Sequence, residues 1–512
     1  MEATHDLVPP VPPVTIHLLN QSLLIGAVVV LVAIAAVRLS LTSGLPSLLL
    51  YLGLGLALGE AGLGVRFDSE ELTQVLGYSA LVLILAEGGL TTRWSTLRTA
   101  MAPAAVLSTV GVVVSVGVVA VASRVLLDLP WTVALLVGAV LSSTDAAAVF
   151  SVLRRVPIHP RIAGVLEAES GMNDAPVVLL VVALADQAKG DHAPAAWYAL
   201  VGLAAFELAL GAAVGLAVGF AGAWGLRRLQ LPSSALSSLA VIALAVAAYA
   251  AGATVHGSGF LAVYVAGLVL GNAGVPHQVA VRGFAQSLGW LAQIGLFVLL
   301  GLLAAPSRLH EQLLAALALG VVLLLLARPL SVLVTMTPFR VPWRQQAFLS
   351  WAGLRGAVPV VLATVPVTVG VPGTEWLFDL VFVLVVVFTL VQAPTLPFMA
   401  RRLGVAHELD SRDLDVESAP LEQLGAEVMQ VRVGHDSRLH GLEVFELRLP
   451  RGANITLIVR EGKSFVPTDR TALRRDDQLL VVTTQAARRE AQRRLRALSL
   501  GGRLALWSKP RP

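Results

Sequence analysis

From Ile16 to Ala400 the chain is a succession of long apolar runs separated by short polar breaks. A helix needs about 20 mainly apolar residues to cross the hydrocarbon core of a bilayer. On that ruler thirteen segments emerge, at approximately 16–37, 44–63, 73–92, 101–124, 131–153, 161–186, 195–226, 235–253, 258–275, 284–305, 311–336, 345–369 and 375–400. The pattern predicts an all-α polytopic membrane domain over residues 1–402. The stretch before the first run holds Glu2, Asp6 and several prolines rather than a basic leader, so the run is expected as a retained span.

Composition supports this. The 512 residues are 56% hydrophobic and 14% charged, where soluble domains carry about a quarter charged residues. Without cysteine, disulfides and thiolate metal sites are excluded. The net charge of +4 is no argument for nucleic acid, because topology accounts for the basic residues of the membrane part. With the N-terminus outside, inner ends hold Arg93 and Arg98, Arg154, Arg155 and Arg161, Arg227 and Arg228, Arg340 and Arg344, and Arg401 and Arg402. Outer loops hold only Arg66, Arg124, Lys189 and Arg308. This positive-inside bias places the tail in the cytoplasm and the protein in the plasma (inner) membrane.

The character of the chain changes after Arg402. Residues 403–426 carry Glu408, Asp410, Asp413, Asp415, Glu417 and Glu422 against Arg412, which predicts a solvated linker. Beyond it, Val428–Val433, Ile455–Val459 and Gln478–Thr484 look like strands, Pro450-Arg451-Gly452 and Asp476-Asp477 mark turns, and Ala486–Leu498 reads as a basic helix. A small α+β domain over 427–498 is expected, with 499–512 as a terminal tail.

Charges inside apolar runs carry the chemistry. An ionised side chain at mid-bilayer costs roughly 2.5–3.5 kcal/mol even on insertion scales, so Glu169-Ser170-Gly171-Met172-Asn173-Asp174 in the sixth segment calls for a reason. On a helix Ser170 and Asp174 share a face, with Glu169 and Asn173 about 100° round. Ser170 and Asp174 can offer oxygens to one ion, Asn173 adds a neutral group, and hard monovalent cations favour such ligands. One segment earlier stands Asp145, in Ser142-Ser143-Thr144-Asp145. Gly353, Gly356 and Pro359 around Arg355 suggest a second interrupted helix, and paired interruptions in matching halves point to a midplane site. Asp145 and Arg355 then compensate helix-end dipoles or coordinate through water. Arg328 cannot be neutralised by deprotonation and needs a counter-charge, for which Glu169 is the candidate. Glu87 stands near the inner end of the third segment, either reaching the site or resting at the interface.

Taken in order, Thr144-Asp145, Glu169-Ser170-x-x-Asn173-Asp174, Arg328-Pro329-Leu330 and Gly353-Leu354-Arg355-Gly356 resemble the pattern of the cation:proton antiporter family, in its NhaP-like sodium/potassium–proton branch. The tail resembles the TrkA-C domain of potassium-channel and transporter regulators. The resemblance implies inverted repeats with broken crossing helices, a homodimer, and Asp174 alternating between proton and cation. It implies Thr144, Ser170 and Glu87 as further ligands, with Asn173 and Asp145 in support, and it ties an Asn-Asp pair to electroneutral exchange. Some TrkA-C domains bind a nucleotide-type ligand such as cyclic di-AMP. In this tail Arg470, Arg474 and Arg475 either meet such an anion or form a solvated face.

The function expected is therefore electroneutral potassium/proton antiport, with sodium use open, no cofactor, no enzymatic step and a regulatory tail. Two rivals remain. A ligand-gated cation channel needs a filter that the sequence does not show, and a membrane sensor leaves Asp145, Asp174 and Arg328 unexplained.

Overall fold

The computed structural model describes residues 16–43, 46–60, 62–64, 69–153, 156, 158–189, 197–229, 231–406, 416–421, 426–434, 437–484 and 486–503. Arg66, Arg154, Arg155, the acidic stretch from Glu408 to Asp415, Glu422 and the final residues from Leu504 lie outside the described residues. The chain divides into two compact units, a helical one ending at Val405 and another formed by the tail.

The helical unit opens with α1 (Ile16–Ser43), α2 (Ser47–Leu58) and α3 (Glu70–Thr91). Next, α4 (Trp94–Val106) runs through a π-helical turn at Leu107–Gly111 into α5 (Val112–Leu127), and α6 (Trp131–Val140) and α7 (Ala146–Leu153) form one interrupted span. The long α8 (Pro160–Lys189) follows, then α9 (Trp197–Leu229), α10 (Ser234–Thr254), α11 (Gly259–Asn272) and α12 (Gln278–Leu303). A second continuous span combines α13 (Pro306–Leu309), α14 (Leu313–Val322), a π-helical turn at Leu323–Ala327 and α15 (Arg328–Met336). A second interrupted one combines α16 (Trp343–Trp351), α17 (Ala357–Leu362) and α18 (Val365–Val369), before α19 (Trp376–Arg402). Nine helices among the described residues are long and apolar enough to cross a membrane. With α2, the two interrupted spans and α11 they occupy the places of all thirteen expected segments.

Local chemistry sets the boundaries. Ser69 Oγ accepts the Leu72 N–H at 3.2 Å at the start of α3, and Ser258 Oγ accepts that of Leu261 at 3.3 Å at the start of α11, satisfying free helix N–H groups. Pro329 has no N–H to give the carbonyl of Leu325, which lies inside the second π turn. The same order, a π-interrupted span followed by a broken one, thus occurs twice. Because five crossings, an odd number, lie between the two copies, they run in opposite directions. They also touch, since Ser331 Oγ donates to the Gly111 carbonyl at 2.9 Å.

Small residues set the packing, as expected where lipid gives helices no hydrophobic drive to associate. Added to Gly89, a Cβ would lie 2.5 Å from the Tyr264 carbonyl, so α3 and α11 touch backbone to backbone. Asn272 closes that pair, donating to the Thr92 carbonyl at 2.9 Å and accepting from the Trp94 N–H at 2.9 Å.

The tail is a five-stranded antiparallel sheet, order β1-β2-β5-β3-β4, with β1 (Val416–Leu421), β2 (Ala426–Arg432), β3 (Ala453–Arg460), β4 (Lys463–Phe465) and β5 (Gln478–Thr484). Helix α20 (Arg488–Gly501) buries Ala491, Leu495 and Leu498 with Met429, Val431, Ile458, Leu479 and Val481. Two strands depart from expectation. The segment read as a linker contributes β1, whose Val416–Leu421 pairs with β2 despite its acidic surroundings. Strand β4 returns from β3 through Glu461-Gly462, both at positive φ (51° and 75°), a two-residue hairpin that suits glycine. Asp477, fully buried, accepts from Arg460 Nε and Nη2 at 2.8 Å each and from the Arg474 N–H at 2.7 Å.

Removing one member of a buried ion pair costs roughly 3–5 kcal/mol. Asp477→Ala in the full chain is therefore expected to speed amide exchange across β5 by orders of magnitude while leaving α8 protected, as hydrogen–deuterium exchange would read.

Candidate functional site

Where α6 ends, Leu141-Ser142 turns and Ser143-Thr144-Asp145 continues without helical structure into α7. Opposite it, Ala352–Gly356 is non-helical between α16 and α17, with the Leu354 N–H turned back onto the Ala352 carbonyl at 2.9 Å. The two breaks cross, and the Asp145 N–H donates to the Leu354 carbonyl at 2.9 Å. Asp145 Oδ1 accepts from the Ala148 N–H at 3.2 Å, which caps α7 with a negative group at its positive end. Gly356 makes the crossing sterically possible, because a Cβ there would lie 1.9 Å from Asp145 Oδ2.

The long α8 presents its acids to this crossing. Glu169, Asn173, Asp174 and Arg328 are all buried. Arg328 meets Glu169 with both guanidinium nitrogens, Nη1 on Oε1 and Nη2 on Oε2, the latter at 2.8 Å. Thr144 Oγ1 donates to Glu169 Oε1 at 3.3 Å and accepts from Asn173 Nδ2 at 2.7 Å. Arg328, Glu169, Thr144 and Asn173 therefore form one hydrogen-bonded chain linking α15, α8 and the break before α7. Asp174 stands outside it, where Oδ1 accepts from Ser143 Oγ at 2.7 Å.

A cavity of about 330 Å³ opens beside these groups, lined by Asp174, Ser170, Thr144, Asp145 and Glu87, with Glu167, Thr92, Tyr264 and Gln293 among the remainder. Of the six residues expected to bind cation and proton, all but Asn173 line it, while Glu169, Arg328 and Arg355 do not. Glu87 thus reaches the cavity rather than resting only at the interface. Arg355 is buried elsewhere, with Arg328, Gly353 and Gln392 around a smaller space, and its Nε and Nη1 have no hydrogen-bond partner. Two residues escaped the sequence reading. Ser143 holds Asp174 although Thr144 beside it drew attention, because a non-helical stretch has no helical periodicity to say which neighbour points where. Glu167 precedes Asp174 by two helical turns, a spacing that places both on one face of α8.

Residues 26–402 match the family model of the sodium/hydrogen exchanger, transmembrane, and residues 428–496 match that of the TrkA-C domain. The chain belongs to the sodium/hydrogen exchanger family. It is 37% identical over 475 residues to a K(+)/H(+) antiporter NhaP of Alkalimonas amylolytica, covering 91% of this chain and 82% of that one. With a K(+)/H(+) antiporter NhaP2 of Shewanella sp. strain MR-4 it shares 36% over 470 residues, covering 91% and 81%. The sodium proton antiporter MjNhaP1 of Methanocaldococcus jannaschii has the same fold, with a TM-score of 0.64 at 21% identity over 73% of this chain and 99% of that one. The protein is a multi-pass membrane cation/proton antiporter with a TrkA-C tail.

Arg328→Ala leaves Glu169 buried without its partner and is expected to destabilise the helical unit by roughly 3–5 kcal/mol. Thermal melting in detergent should drop markedly for that variant and recover in part when Glu169→Gln is added. A second outcome follows from the crossing: Gly356→Ala should abolish exchange where Gly225→Ala on α9, with nothing within 4 Å of its Cβ, keeps the site intact.

Proposed function

We propose that the protein exchanges one potassium ion for one proton, with Asp174 as the shared carrier. The observation that supports this reading is the division of labour among the buried acids. At the crossing Glu169 is held by Arg328, Asp145 caps α7, and Asn173 has no titratable charge, which leaves Asp174 as the crossing's own acid that faces the cavity with only a hydroxyl on it. A carboxylate in that position binds a proton or a cation, not both, so its two loads compete. With one such group per cycle, one charge moves each way and exchange is electroneutral.

Ser170 lines the cavity one turn from Asp174 and would share the cation. The hydroxyl of Thr144 is already engaged by Asn173 and Glu169, so its part in coordination would fall to its carbonyl or require that chain to rearrange. Asn173 and the Glu169–Arg328 pair would hold the crossing in place, with Arg355 balancing the helix ends. Two repeats of opposite direction are the geometry by which such a site is exposed alternately to either side. The positive-inside bias favours an external N-terminus and a cytoplasmic tail in the plasma membrane. Helix α1, whose apolar surface is largely exposed, suits lipid or a second copy in a homodimer. Residues 1–402 would transport, 403–426 connect, 427–498 regulate and 499–512 trail. The solvent-exposed Arg470, Arg474 and Arg475 are where an anionic regulator such as cyclic di-AMP would be sought.

Potassium is favoured because the relatives matched over most of their length are named for it. Sodium is the second reading, favoured by the fold shared with a sodium proton antiporter.

In reconstituted vesicles holding a pH-sensitive dye, external potassium should drive proton efflux without a net current, and sodium less so. Asp174→Asn should bring the signal down to that of empty vesicles. Exchange that survives this substitution rules out the carrier role, and uncoupled current would mark a channel.

A further inference from the structure

The cavity holds more negative charge than one exchange site requires. Its carboxylates fall into two groups. Asp174 has Asp145 as its charged neighbour at the crossing, whereas Glu87 has Glu167. Along α8, Glu167 and Asp174 are seven residues apart, about 10 Å at the helical rise. That is too far for one ion to touch both. No basic side chain among the described residues forms an ion pair with Glu87 or Glu167. Unlike Glu169, this second pair of acids is not neutralised by the protein.

A third group points into the same space. Tyr264 on α11 is 4% exposed and lines the cavity, and its hydroxyl makes no well-formed hydrogen bond, with the Thr92 side chain and Glu167 as its polar neighbours. Its ring rests on Gly171, where a Cβ would lie 2.5 Å from Cε2 and 2.9 Å from the hydroxyl oxygen. Gly171 stands one turn beyond Glu167 and just short of one turn before Asp174, on the shared face of α8. The hydroxyl is therefore held between the levels of the two acids. A buried hydroxyl without a well-formed bond is costly, and two neighbouring carboxylates repel unless one takes up a proton or a positive charge stands between them.

We propose that Glu167, Glu87 and the Tyr264 hydroxyl form a second monovalent-cation site, in the vestibule where α3 ends and α8 begins. It would load Asp174 from that side. All its ligands are hard oxygens, the class that monovalent metal cations prefer. The exchange role of Asp174 is the reading on which the loading step rests, but occupancy of the vestibule does not depend on it.

The test separates the two by removing the exchange site. Purified full-length protein carrying Asp174→Asn should bind rubidium-86 ions saturably in a scintillation proximity assay. Adding Glu167→Gln should weaken that binding by about tenfold or more, the range for losing a supporting group at a metal site. Tyr264→Phe should weaken it less, and Glu167→Asp, which retains a carboxylate, should preserve most of it and report on folding. In vesicles, Glu167→Gln should also raise the rubidium concentration that half-saturates exchange. The proposal is overturned if the Asp174→Asn protein binds no rubidium saturably, or if Glu167→Gln leaves its binding unchanged. Absence of exchange by the unmodified protein would instead refute the antiport reading, whatever the binding result.

Discussion

A guanidinium keeps its proton at any physiological pH, so an arginine inside a membrane must be matched by an anion or exposed to water. Arg328 is matched by Glu169, and much of the site's arrangement descends from that bond. Because Glu169 is occupied by Arg328, Thr144 can bridge it to Asn173, and the break before α7 is held at a defined height against α8. Because those groups satisfy one another, Asp174 is the acid of this cluster left to the cavity. On the proposed reading, a neutralised chain and, one residue away, a carboxylate held only by a hydroxyl are a physical means of keeping structural and exchangeable charge apart.

The crossing solves a different problem. Two broken helices expose unpaired backbone groups at membrane depth, where nothing in lipid can satisfy them. Here the breaks satisfy each other in part, through Asp145 N–H and the Leu354 carbonyl, and Asp145 closes the start of α7 with its side chain. Gly356 and Gly353 let this happen, the first by leaving room for Asp145 and the second by leaving room for Arg328. The π turns in the neighbouring continuous spans contribute to the same fit, since the second ends directly before Arg328.

The tail obeys ordinary soluble rules. Its sheet alternates buried and exposed positions, its helix buries one apolar stripe, and its one deeply buried acid is fully hydrogen-bonded.

Span number, the two interruptions, the candidate acids and the tail's main strands were legible in the chain, because each depends on local properties: run length, glycine and proline placement, and helical or strand periodicity. The need of Arg328 for a partner was legible too, but its partner lies 159 positions away, and only folding brings them together. Partners across elements have no such local signature. That Ser143 rather than its neighbour holds Asp174, that β1 continues the sheet through an acidic stretch, and that Tyr264 reaches α8 beside Gly171 depend on which backbones pack together. That is a property of three-dimensional contact, decided by small residues whose effect appears only when another helix presses against them.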